Sequence, residues 1–137
     1  IIYRMRQNAL PENVQHDIFL VAPNDIMQRR RIEDFSRDYK RVLEWCEEKQ
    51  YSLCVVLPFI STEQALNRQL LNLRQEAEHI CGGKAFLLDL QPAIGLDAGA
   101  RFKAYVVGIH PKSQTYEAMG NYAAPLIWQW LKDEKEA

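Results

Sequence analysis

The sequence predicts an α/β protein: a parallel sheet with helices on both faces. Short apolar runs rich in β-formers alternate with longer amphipathic segments, which is the pattern of strands joined by helical crossovers. The runs are continuous rather than alternating in polarity, so each strand is expected to be buried on both faces. A length of 137 residues suits one hydrophobic core, so 1–137 is read as a single domain.

Taken in order, the opening IIYRMRQNALPENV has the look of a helix tail followed by a Pro-Glu-Asn turn. DIFLVAP, Asp17 to Pro23, is the first strand, closed by Pro23. From Ile32 the residues Ile32, Phe35, Tyr39, Val42, Leu43 and Cys46 recur at helical spacing with charges opposite, giving an amphipathic helix to about Lys49. SLCVVLPF, Ser52 to Phe59, is the second strand. Ser61 and Gln64 then form a capping-box pattern. The helix they open turns Leu66, Leu70, Leu73, Ala77 and Ile80 inward and stops at Gly82-Gly83.

AFLLDL, Ala85 to Leu90, is the third strand. The stretch QPAIGLDAGARFKAYVVGIHPKSQ reads as a Gly-, Ala- and Pro-rich loop that includes a strand end at VVG. A last helix from about Thr115 is expected to bury Tyr116, Met119, Ala123, Leu126, Ile127, Trp130 and Leu131. Trp128 and Trp130 cannot share a helix face, so one of them belongs at the surface.

Composition removes several function classes. The formal net charge is -1, and the one basic cluster, Arg29-Arg30-Arg31, is followed at once by Glu33 and Asp34. It reads as a solvated helix start, and no nucleic-acid partner is expected. No stretch approaches the ~18 apolar residues of a membrane span, and no signal-peptide pattern opens the chain. Cys46, Cys54 and Cys81 cannot all pair and lack metal-ligand spacing, so they read as buried thiols, which favours a reducing, cytoplasmic setting. His16 and His79 are likewise not spaced with other metal ligands, so no metal is expected, and no Gly- or Ser/Thr-rich phosphate-cradling loop follows the first strand, so no flavin cofactor is expected either.

Ligands of such sheets sit beyond the carboxyl ends of the strands. The residues in question are Ala22-Pro23-Asn24-Asp25, Pro58 to Thr62, Gln91 to Gly95, and His110 before the last helix. An amide at that rim can donate to a developing oxyanion, and an imidazole can take a proton from a nucleophile. Structural readings stand beside these: Asn24 as a turn or helix-cap residue, Asp25 as a loop anchor, and His110 as a cap of the next helix.

The order strand, A-P-N-D, helix, strand, helix, strand, loop, G-I-H-P, helix resembles the SGNH, or GDSL-type, hydrolases over nearly the whole chain. The resemblance implies a flavodoxin-like three-layer α/β/α fold that hydrolyses ester bonds of acylated lipids or sugars. Asn24 would then supply an oxyanion-hole donor with Asp25 supporting it, and Gly108-Ile109-His110-Pro111 would carry the catalytic base, His110. The chain departs from the pattern in several ways. It has no G-D-S block for the nucleophile and no recognisable second block. Ala22 stands where a Gly is usual, and Val107 stands where the family has its acid. Asp97 is the nearest substitute acid, Asp89 reads as a strand-end structural carboxylate, and only Ser61 and Ser113 among the serines fall at the rim. The resemblance therefore implies either a serine supplied by an upstream segment or a partner chain, or a domain that kept the fold and lost the chemistry.

Overall fold

The structure, a computed structural model, describes residues 16–20, 31–107 and 110–136. Five strands and five helices follow one another along them: β1 (His16–Leu20), α1 (Ile32–Lys49), β2 (Ser52–Val56), α2 (Gln64–Cys81), β3 (Phe86–Leu88), α3 (Gln91–Ile94), α4 (Ala98–Ala104), β4 (Tyr105–Val107), β5 (His110–Pro111) and α5 (Ser113–Glu136). β1, β2 and β3 form a parallel sheet in that order, in a register that aligns Ile18 with Cys54 and Cys54 with Phe86. The α/β class and the parallel sheet are as the sequence predicts.

Alternation along β2 explains why helices lie on both sides. Leu53 and Val55 point into one core with Phe19 of β1, Phe35, Tyr39, Val42 and Cys46 of α1, and Leu70, Leu73, Ala77 and Ile80 of α2. Cys54 and Val56 point the other way, into a core with Leu88, Ile94, Tyr105 and Trp130. Successive side chains of a strand face opposite sides, so one apolar run serves two cores. Trp130 spans the second core edge-on to His16, with ring centroids 5.4 Å apart, and stacks on Phe86 at 5.6 Å. At its far end α5 is tied down by the Ser52 hydroxyl, which donates to Glu134 at 2.6 Å.

β1 departs from the expectation of burial on both faces. Phe19 is buried, but Ile18 is 48% and Leu20 50% exposed, although their register partners Cys54 and Val56 are buried. α5 reaches β1 through the Trp130–His16 contact, and the pattern of exposure shows that it leaves the second face of Ile18 and Leu20 uncovered. The first helix keeps its predicted end: Gln50 takes a left-handed φ of 58°, and its N–H donates to Glu47 at 3.1 Å. The second ends at Cys81 with Gly82 as its C-cap, and the φ of 77° at Gly83 lets the Lys84 and Ala85 amides return to the Cys81 carbonyl, both at 3.0 Å.

The largest correction falls on the stretch read as a loop, which is mostly structured. Pro92 sits in the first turn of α3, where its missing N–H is harmless. The Asp97 carboxylate caps α4 by accepting the Ala100 N–H at 2.8 Å, and β4 and β5 form a small antiparallel hairpin. Composition hid these elements because each is only two to seven residues long, too short to show a period. The last helix starts at Ser113, and Tyr116 and Leu126 are exposed rather than buried. Of the tryptophans, Trp130 is buried and Trp128 is 61% exposed.

Tyr39 is enclosed between α1 and the sheet, its ring edge-on to Phe19, and its hydroxyl has no hydrogen-bond partner among the described residues. Burial raises its ionisation well above that of a free phenol. A buried donor without a partner costs its desolvation and returns nothing. Tyr39→Phe should therefore leave stability unchanged or raise it by about 0–1 kcal/mol in urea denaturation. A loss larger than that would mean that the hydroxyl is bonded.

Candidate functional site

The carboxyl rim of the sheet is built around two backbone units, Ile60 and Ser61, on the loop after β2. Side chains from four separate places satisfy their polar groups. Gln91 accepts the Ile60 N–H at 2.8 Å, and the Tyr105 hydroxyl donates to the Ile60 carbonyl at 3.3 Å. Asn67 accepts the Ser61 N–H at 2.8 Å and donates to the Ser61 carbonyl at 2.8 Å. That same carbonyl also accepts from Arg101 Nε at 3.2 Å. An irregular loop needs such partners because it has no ladder to supply them.

Gln91 is buried and carries the link onward. Its amide Nε2 donates to the Gly95 carbonyl at 2.8 Å, so one side chain joins the loops after β2 and β3. Gly95 has a φ of 144°, and a Cβ there would lie 2.9 Å from the Ala100 Cβ and the Arg101 nitrogen. That close approach lets α4 fold back over the rim. From α4 the chain enters β4, and Tyr105 packs into the second core. Burial and then the nearby Tyr116 push the Tyr105 phenol up to about 12, and Arg101 opposes the shift. The start of α5 is held to the same corner: Thr115 Oγ1 donates to the Ala104 carbonyl at 2.7 Å and the Lys112 N–H does so at 2.8 Å.

His110 lies on β5 of the hairpin, opposite Val107 in the antiparallel register, and is exposed. Asn24 and Asp25 lie outside the described residues. Asp97, the substitute acid, is exposed, and its Oδ1 accepts the Ala100 N–H; this helix-cap role offers no sign of a link to His110. Asp89 is structural, as its strand-end position suggests: it receives Arg74 at 2.9 and 2.6 Å and the Gln91 N–H at 3.0 Å. The Arg74 hydrogen bond, with that of the Gln91 amide, holds the Asp89 carboxyl below the usual carboxylate range despite partial burial.

Three of the four serines are engaged elsewhere. Ser36 bonds the Ile32 carbonyl and Glu76, and Ser52 bonds Glu134 near the amino ends of the strands. Ser61 does not form the predicted capping box with Gln64; Glu63 is the N-cap of α2. The Ser61 hydroxyl instead accepts the Glu63 N–H at 3.2 Å and lies 3.5 Å from Asn67 Oδ1, buried and poorly disposed for attack. Ser113 is exposed at the start of α5. The three cysteines are free and buried, and burial pushes each thiol up to about 11, the opposite of what a nucleophilic thiolate needs.

Two grooves lie against α1 and α2 on the other side of the sheet from α5. One, of about 450 Å³, is lined by Lys40, Glu44, Glu76 and His79 among others, and the other, of about 320 Å³, by Cys46, Tyr51 and Leu53. Neither touches the hairpin of His110. Among the described residues no group of three or more His, Cys, Asp or Glu side chains is disposed to hold a metal ion, and no helix is long and apolar enough to cross a membrane. No protein-family model, curated protein or solved structure matches this chain.

Gln91 falls in a rim segment singled out from the sequence, but its bonds were not foreseen, and Arg101 and Tyr105 were missed as builders of the rim. Their signal is tertiary: each bonds a backbone group of another loop, and no local spacing encodes that. Gln91→Leu should cost about 2–3 kcal/mol in urea denaturation, because it strands the Ile60 N–H and the Gly95 carbonyl. A loss below about 0.5 kcal/mol would mean that water replaces both bonds.

The Arg74–Asp89 pair gives a pH-dependent expectation. A carboxyl with a depressed folded pKa contributes stability above its unfolded value of ~3.9 and loses it as pH falls through the folded value. Arg74→Met should therefore destabilise by about 1 kcal/mol near neutral pH, with the difference from wild type shrinking below about pH 4. A difference that is constant from pH 7 to pH 2 would contradict this.

Proposed function

We propose that the chain is an acyl-hydrolase domain of the SGNH type, with a flavodoxin-like three-layer arrangement and His110 as its base. The observation that carries the reading is the exposure of His110 on the hairpin that enters the last helix, in a chain whose parallel strands, A-P-N-D segment and G-I-H-P segment follow the family's order. Engagement of Ser36, Ser52 and Ser61 in structural bonds fits a nucleophile contributed by an upstream segment or a partner chain.

The proposed reaction runs as acyl transfer. The serine Oγ attacks the ester carbonyl carbon and its proton passes to His110, while Asn24 donates to the resulting oxyanion, with Asp25 holding the loop. His110 then returns the proton to the leaving alkoxide. Water repeats the steps to release the acid. The substrate is a small acylated molecule, a lipid or sugar ester, and no cofactor takes part. Val107 in the acid position and Asp97 as a helix cap leave the imidazole to be oriented by a backbone carbonyl, as in a dyad.

The capping role of Asp97 also favours a second reading: a domain of the same fold that binds a partner without chemistry. Hydrolysis of p-nitrophenyl acetate by the polypeptide that includes the upstream segment separates the two. The esterase reading expects turnover that falls at least ~100-fold in His110→Ala with circular dichroism unchanged. Absence of turnover, or turnover unaffected by His110→Ala, would reject it.

A further inference from the structure

Arg101 is a cation held at the rim by backbone carbonyls. Its Nε donates to the Ser61 carbonyl at 3.2 Å and its Nη1 to the Leu96 carbonyl at 3.0 Å. Those carbonyls belong to the loops after β2 and after α3, so the guanidinium plane is fixed at two points. A guanidinium has five N–H donors, which leaves three for another acceptor. Among the described residues no carboxylate lies within salt-bridge distance of it. Asp97, close in sequence, is turned to the Ala100 N–H.

The surroundings suit an anion. Arg101 is half-buried, and partial removal of a cation from water is costly unless an anion accompanies it. The Tyr105 hydroxyl bonds the Ile60 carbonyl, next along the loop from the one Arg101 holds. Arg101 lies on the helix that leads directly into the hairpin of His110. A fixed guanidinium with spare donors matches carboxylate and phosphate geometry better than a lysine does.

We propose that Arg101 is an oxyanion-binding residue that receives the carboxylate or phosphate of a small ligand at the carboxyl rim. Extended to catalysis, which rests on the esterase reading, the preferred substrate is an acyl ester that carries an anionic group. Binding of the anion does not depend on that reading.

The test is an amide NMR titration with inorganic phosphate and, separately, acetate, on wild type, Arg101→Met and Arg101→Lys. The expected result is saturable shifts confined to residues 60–62 and 96–105 with at least one of the anions; which one saturates identifies phosphate or carboxylate as the group received. Arg101→Met should weaken binding at least tenfold and Arg101→Lys, which keeps the charge and loses the planar fork of donors, two- to fivefold. Because Arg101 also ties two loops, Arg101→Met can unfold the rim; Arg101→Lys then carries the test alone. No saturable shift with either anion, or unchanged binding in both variants, overturns the proposal. A parallel comparison of p-nitrophenyl acetate with the mono-p-nitrophenyl ester of succinate keeps the two readings apart. Arg101-dependent anion binding without hydrolysis of either ester leaves the site standing and removes the esterase. Hydrolysis of both esters at equal efficiency, with no anion binding, removes the site alone.

Discussion

The rest of the molecule depends on the burial of β2 on both faces. Leu53 and Val55 complete one core, Cys54 and Val56 the other, and all four are buried. Each such side chain removed from water contributes on the order of 1.5–3 kcal/mol, and no other strand of the sheet contributes so evenly to both cores. With β2 fixed, β1 and β3 are set by register, and α1 and α2 are committed to one side and α5 to the other. The loop that leaves β2 must then emerge at the carboxyl rim, where Ile60 and Ser61 become the frame for the loops that follow.

That frame shows how packing passes into chemistry. An irregular loop over a parallel sheet exposes donors and acceptors that no ladder satisfies. Here the side chains of Asn67, Gln91, Arg101 and Tyr105 satisfy them. The same bonds hold α4 and the hairpin carrying His110 over the sheet. Rigidity of this kind is what a catalytic or binding group requires of its supports. The cost is borne by Gln91 and Arg101, which are drawn partly out of water.

Much of the fold was legible in the sequence, and the reasons are physical. The two long helices announced themselves through Phe35, Tyr39, Val42 and Cys46 and through Leu70, Leu73, Ala77 and Ile80, because burial on one face imposes a 3.6-residue period. β2 and β3 were legible as apolar runs between turn residues. α3, α4 and the β4–β5 hairpin were not, since no period develops over so few residues. The exposure of Ile18 and Leu20 was also illegible, because it depends on how far α5 extends across the sheet rather than on anything local to β1.

The site was legible in part. His110 drew notice through its neighbours Gly108 and Pro111 and the helix that follows, and Asp89 through its position at a strand end. The cap role of Asp97 was open to the sequence as well: an Asp before A-G-A-R is a familiar helix start, obscured by the loop-like composition around it. Arg101 left no local sign at all.

The decisive measurement is the site of covalent attachment of a fluorophosphonate to this chain together with any upstream segment or partner chain, read by peptide mass mapping. If the domain is an SGNH-type hydrolase as proposed, a single adduct forms on a serine outside these 137 residues and is lost when His110 is changed to Ala. No adduct at all, or an adduct on Ser36, Ser52, Ser61 or Ser113, would contradict it.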